Sequence, residues 1–187
     1  MITLDASQID RAVDLLKHIP GAALPAMARA MNRALEGART TAVKETRAEY
    51  RVSSRDVKAT MRVQKATPAN LQAEVVSTGK RIPLATFGTR PTQPGTGGPG
   101  RPPLRVGVKR AGGRKPIEGA FIARVGRVAV RVGAKRYPIR TLYGPAVPQM
   151  MGADKVIARV EEIATQRLDA RLDHEIEHAL ERAAGRR

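Results

Sequence analysis

Residues 154–182, DKVIARVEEIATQRLDARLDHEIEHALER, carry the longest regular pattern in the chain. Val156, Val160, Ile163, Ala164, Leu168, Leu172, Ile176, Ala179 and Leu180 recur at intervals of three and four, and the positions between them are charged with both signs. That period belongs to an amphipathic α-helix, with Asp154 as its N-cap and Gly185 ending it. Within a C-terminal helical segment of 153–184, the periodic part over 154–182 rises about 1.5 Å per residue and so extends roughly 40 Å. That is long enough to pass beyond a small domain and meet a neighbouring subunit.

Toward the N-terminus the same period returns with smaller side chains. Met27, Ala30, Met31, Ala34, Leu35 and Ala38 form a stripe suited to close helix packing, starting near Pro25 and running toward Tyr50. Before it, Ile9, Val13 and Leu16 predict a first helix, with Ser7 and Asp10 as its capping pair and Pro20-Gly21 as its end. Ser53 and Asp56 open a short helix over 54–62.

The period then changes to two. Leu71, Ala73 and Val75 alternate with Gln72, Glu74 and Val76, which predicts a strand between residues 63 and 77. Residues 121–124 and 127–132 predict a hairpin turning at Val125-Gly126. In it Val128, Val130 and Val132 face one way, and Arg127, Ala129 and Arg131 the other. Val106 and Val108 supply a further strand. Helices on either side of a strand-bearing middle predict an α+β fold in a single domain, residues 1–187, with N-terminal helices, a small mainly antiparallel sheet and a long C-terminal helix.

The 187 residues contain 34 Lys and Arg against 17 Asp and Glu, a net charge of +17, so a polyanionic neighbour is expected. The excess is local. Residues 75–153 hold 15 basic residues and a single acid, Glu118, and so carry +14 of the +17. Within them, 89–118 is rich in Pro and Gly (PTQPGTGGPGRPP at 91–103, AGGRKP at 111–116) and poor in apolar side chains, the composition of a flexible basic loop. Arg101, Arg105, Lys109, Arg110, Arg114 and Lys115 from this loop, with Arg127 and Arg131 from the hairpin, are the candidate contacts to nucleic-acid phosphates. With no Trp, three Tyr and two Phe there is no aromatic stacking platform, so such contact is non-specific and salt-sensitive. A solvated insertion that only maintains solubility is the plainer reading of the same loop.

Zero cysteines exclude disulfides, thiol nucleophiles and thiolate metal sites. No apolar run approaches the roughly 20 residues of a membrane span, and the chain is expected to be soluble and unsecreted. His174-Glu175-Ile176-Glu177-His178 matches H-E-x-x-H, but the nine residues after it offer no third His, and no metal is expected there. Gly95, Gly97 and Gly100 satisfy G-x-G-x-x-G without a strand before or a helix after, and Gly79-Lys80 lacks the upstream glycine of a P-loop. No enzyme activity and no cofactor are expected.

Two irregular blocks stand out: Lys80 to Gly88, KRIPLATFG, and Tyr137 to Met151, YPIRTLYGPAVPQMM. Together with Val52-Ser53-Ser54-Arg55-Asp56-Val57, Gly119-Ala120-Phe121-Ile122-Ala123 and the final charged helix, their order resembles the phage and prophage minor tail protein Z family over nearly the whole chain. The resemblance implies a non-catalytic virion protein, a tail-completion component at the head-proximal neck, made in the host cytoplasm. It implies a homo-oligomeric ring, a hexamer, that joins neighbouring tail and neck proteins beside the DNA and has no membrane partner. In that setting Ile82, Leu84, Phe87, Leu142, Tyr143, Pro145, Val147 and Met150 are candidates for subunit docking. As a connector, the second block would instead shape a turn and cover the core. The alternative from another class is a free, non-specific nucleic-acid-binding protein acting through the basic loop.

Overall fold

A computed structural model describes residues 6–19, 21–92, 102–123 and 125–185. Among the described residues, five α-helices and ten short strands follow in chain order: α1 (Ala6–Leu16), α2 (Ala23–Glu49), α3 (Ser54–Ala59), β1 (Met61–Gln64), β2 (Glu74–Ser77), β3 (Arg81–Pro83), β4 (Thr89–Arg90), β5 (Leu104–Val106), β6 (Lys115–Ile117), β7 (Ala120–Ile122), β8 (Val128–Arg131), β9 (Ile139–Thr141), β10 (Tyr143–Ala146), α4 (Val147–Met151) and α5 (Asp154–Ala184). A single 3₁₀ turn, Leu84–Phe87, follows β3. Every strand pairing is antiparallel, so the α+β reading holds. The strands form four small sheets, in the orders β1-β2, β10-β3, β4-β5-β6 and β7-β8-β9.

The chain, expected to be one domain, divides into two compact units, residues 1–43, 61–77 and 154–187 in the first and 44–60 and 78–153 in the second. The path of the chain explains why no boundary is visible in the sequence. It leaves the first unit inside the continuous helix α2, returns at β1, and returns again at α5, with no linker at any crossing.

The first unit is helical. All six residues of the small-side-chain stripe on α2 are buried, and Met27, Ala30, Met31, Ala34 and Leu35 share a core with Ala12 and Leu16 of α1 and Leu168, Leu172, Ile176 and Ala179 of α5. Alanines at 26, 30 and 34 let the helices approach closely, and each of the larger side chains contributes about 1.5–3 kcal/mol on burial. On α5, Val156, Ala164, Leu168, Leu172, Ile176 and Ala179 are buried, whereas Leu180 lies 41% exposed where the stripe drifts off the core. On α1 the buried face is Ala12 and Leu16 rather than the expected Val13, which is 44% exposed; the side chains of Ser7 and Ile9 lie outside the described residues. Ser7 lies within α1 and not ahead of it.

The β1-β2 hairpin completes this unit. Leu71, Ala73 and Val75 pack on the core as their alternation requires, but regular pairing begins only at Glu74, and its partner strand β1 starts where the short helix was expected to continue. Asn32 of α2 ties the hairpin loop down: its Nδ2 donates to the Ala66 carbonyl and its Oδ1 accepts from the Ala66 N–H, both at 2.9 Å.

The second unit holds the remaining sheets. Ser53 caps α3 as expected, its Oγ accepting from the Asp56 N–H at 3.1 Å, and Thr60 ends the helix at Ala59 by donating its hydroxyl to the Val57 carbonyl. The hairpin forms between β7 and β8, closed by Ala123 N–H to Arg127 O at 2.9 Å and by Gly126, whose φ of +73° suits a residue without Cβ. Its faces are not purely apolar and basic. Ala129, on the face shared with Phe121 and Arg131, is buried, and Val132 is 64% exposed because β8 ends at Arg131. Residues 89–118, expected as a loop without regular pairing, contribute the three strands of β4-β5-β6; within them, 93–101 lie outside the described residues. Leu104 and Val106 supply the apolar alternation that seats this sheet, both buried, with Arg105 exposed between them.

Candidate nucleic-acid interface

The basic excess belongs almost wholly to one unit. The second unit has 20 Lys and Arg against 4 acids, a net +16, and the first has 14 against 13, a net +1. Of the eight candidate phosphate contacts, Arg101 lies outside the described residues, and the other seven divide by what already holds them.

Three are tied to their own chain. The Arg110 Nε donates to the Arg47 carbonyl at 2.6 Å in the last turn of α2, where a cation complements the negative end of the helix dipole. The Lys109 ammonium lies 3.8 Å from Glu49 and 5.8 Å from the Tyr50 ring centroid, and Arg114 donates from Nε to the Gly88 carbonyl at 3.0 Å. Main-chain bonds from Arg51 N–H to Val108 O and from Arg110 N–H to Glu49 O reinforce the same attachment. The segment joining β5 to β6 is thereby pinned to the end of α2. These residues add charge to the surface while their own geometry is set from within.

Arg105, Lys115 and Arg127 are exposed, and the Arg131 guanidinium stacks 5.0 Å from the Phe121 ring centroid, which fixes its position at the end of β8. Arg90 was not among the candidates, yet it is directly opposite Arg105 in the β4-β5 register. Two-residue β4 has no pattern of its own, so only the fold reveals that pairing.

The two irregular blocks, some 60 residues apart, form one structure. β3 and β10 pair with Tyr143 opposite Pro83 and Ala146 opposite Arg81, and the Leu84 N–H donates to the Leu142 carbonyl at 3.0 Å. Gly144 is required by this contact, since a Cβ there would be 2.5 Å from the Phe87 ring. Gln149 accepts from the Ala146 N–H at 3.0 Å and so starts α4, with Pro148 in its first turn. Phe87, Val147 and Met150 are fully buried and Leu84 nearly so, which makes them core residues rather than surface contacts. Ile82, Leu142 and Pro145 are half-buried, and Tyr143 is 51% exposed.

Residues 8–186 match the family described as prophage minor tail protein Z (GPZ). The chain belongs to that family. It is a phage tail component, part of the virion, and its partners are other tail proteins. No curated protein and no solved structure matches it. In this minor tail Z chain the H-E-x-x-H residues lie on α5 with the His174 and His178 rings 6.5 Å apart, and the intervening Glu175 carboxylate holds Arg29 at 2.5 Å. His178 borders a cleft of about 580 Å³ that His18, Arg29 and Arg182 also line. Among the described residues no three His, Asp or Glu converge as a metal site, and no helix is long and apolar enough to cross a membrane.

Proposed function

We propose that this protein completes the tail at its head-proximal end as the subunit of a homo-oligomeric ring, a hexamer, without catalysing a reaction. The observation that carries the reading is the charge division: a helical unit of net +1 suits contacts between subunits, and a sheet unit of net +16 suits a surface turned toward the phosphates of the DNA. Half-exposed Tyr143, with Ile82, Leu142 and Pro145, offers apolar area for a neighbouring tail or neck protein, while the buried members of the same blocks hold that surface in shape.

Mass spectrometry and electron microscopy of purified particles test this. The expected result is a fixed number of copies per tail, arranged as a ring at the head-proximal end, with Tyr143→Asp reducing head-tail joining. Absence from the particles, together with salt-sensitive DNA retention by the free monomer, would favour a free nucleic-acid-binding protein instead.

A further inference from the structure

Arg90 and Arg105 stand directly opposite each other on β4 and β5, and both are exposed. Opposed residues on antiparallel strands have Cβ atoms about 4.5–5.5 Å apart, and like charges so placed destabilise the sheet. Two further arginine side chains come together over Gly107, just past the end of β5. A Cβ at Gly107 would be 3.0 Å from the Arg51 Nε and 3.1 Å from the Arg114 side chain, so the absent side chain makes room for both. The Arg51 Nε is buried and has no hydrogen-bond partner. None of the four arginines is ion-paired to a carboxylate among the described residues, and the surrounding unit has only 4 acids to supply one.

We propose that Arg51, Arg90, Arg105 and Arg114 form a phosphate-binding cluster whose ligand is the phosphodiester backbone of DNA. Guanidinium groups offer paired N–H donors that match phosphate oxygens, and an anion between Arg90 and Arg105 turns their repulsion into a shared attraction. The main-chain anchoring of Arg114 at Gly88 holds that side of the cluster in place before the ligand arrives. The contact positions DNA without reading its sequence. This inference rests on the proposed approach of the basic unit to DNA and names the residues that make it.

The test is binding of the full chain to a fluorescent DNA duplex at several salt concentrations. Each phosphate contact contributes about 0.9 to the slope of log affinity against log salt, so Arg90→Gln with Arg105→Gln should lower that slope by about 1.8. Lys80→Gln with Lys135→Gln, two exposed charges elsewhere in the unit, should lower it by less than half as much. Without DNA, Arg105→Glu should raise Tm by about 1–3 °C by ending the cross-strand repulsion, while weakening DNA binding. Equal slopes for the two double variants, with wild-type binding intact, would overturn the cluster but leave the DNA reading standing. A wild-type chain without salt-dependent binding would remove both. Loss of binding to a polyglutamate peptide, with DNA binding unchanged, would assign the cluster to an acidic protein and overturn the proposal.

Discussion

The two units of this protein solve the problem of a small core in opposite ways. The helical unit combines 14 basic with 13 acidic residues and buries a continuous seam of Ala, Met, Leu and Ile drawn from three helices. The sheet unit divides its strands among small sheets and places 20 basic against 4 acidic residues around them. Balanced charge lets ion pairs such as Arg29–Glu175 and Lys65–Glu36 form across the first unit's elements. In the second, most cations have no acid to meet, and several are held by carbonyls and aromatic rings instead. Self-repulsion of that size lowers stability, which a protein retains when the charge serves a partner.

The largest expected difference between the two units is at Phe87. Its ring is fully buried against Gly144, and Phe87→Ala should cost about 3–5 kcal/mol. Hydrogen exchange should show the loss first at amides of β3, β10 and α4, with those of α2 residues 27–38 protected longer. Uniform loss across both units would mean that they unfold as one.

A smaller effect belongs to the helical unit. Asn32→Ala leaves the Ala66 N–H and carbonyl without their side-chain partner, at a cost of about 1–3 kcal/mol, measurable by urea unfolding. Exchange should rise at the 65–73 loop and not at β4-β5-β6.

Ionic strength sharpens the contrast further. Screening shortens the reach of exposed charges from about 30 Å at 0.01 M salt to about 8 Å at 0.15 M, so amide protection in the sheet unit should rise with salt more than in the helical unit. An equal response in the two would show that repulsion within the basic unit has little weight. The smallest change is His174→Ala, at an exposed position on α5, where the unfolding free energy should stay within about 0.5 kcal/mol of wild type and particle infectivity should be unchanged.

The helices were legible because a helix writes its buried face at a fixed spacing within one segment. Met27 to Ala38 and Leu168 to Ala179 could be placed on a core before any partner was known, and Ser53 could be named as a cap from the acid three residues on. The family blocks were legible in the same local way, as unusual strings around Phe87 and Tyr143. The charge excess of residues 75–153 was plain by counting. Tertiary structure alone decided the rest. Strands of two to four residues are too short to carry a period, and their register depends on partners brought from elsewhere in the chain. That is why β4 and β6 have the local composition of a loop, why Lys109, Arg110 and Arg114 carry no local mark that separates them from freer cations, and why the opposition of Arg90 and Arg105 exists only in the paired strands. The two-unit division was hidden for a related reason: the chain crosses from unit to unit within α2 and between adjoining elements, and a boundary of that kind leaves no mark in local composition.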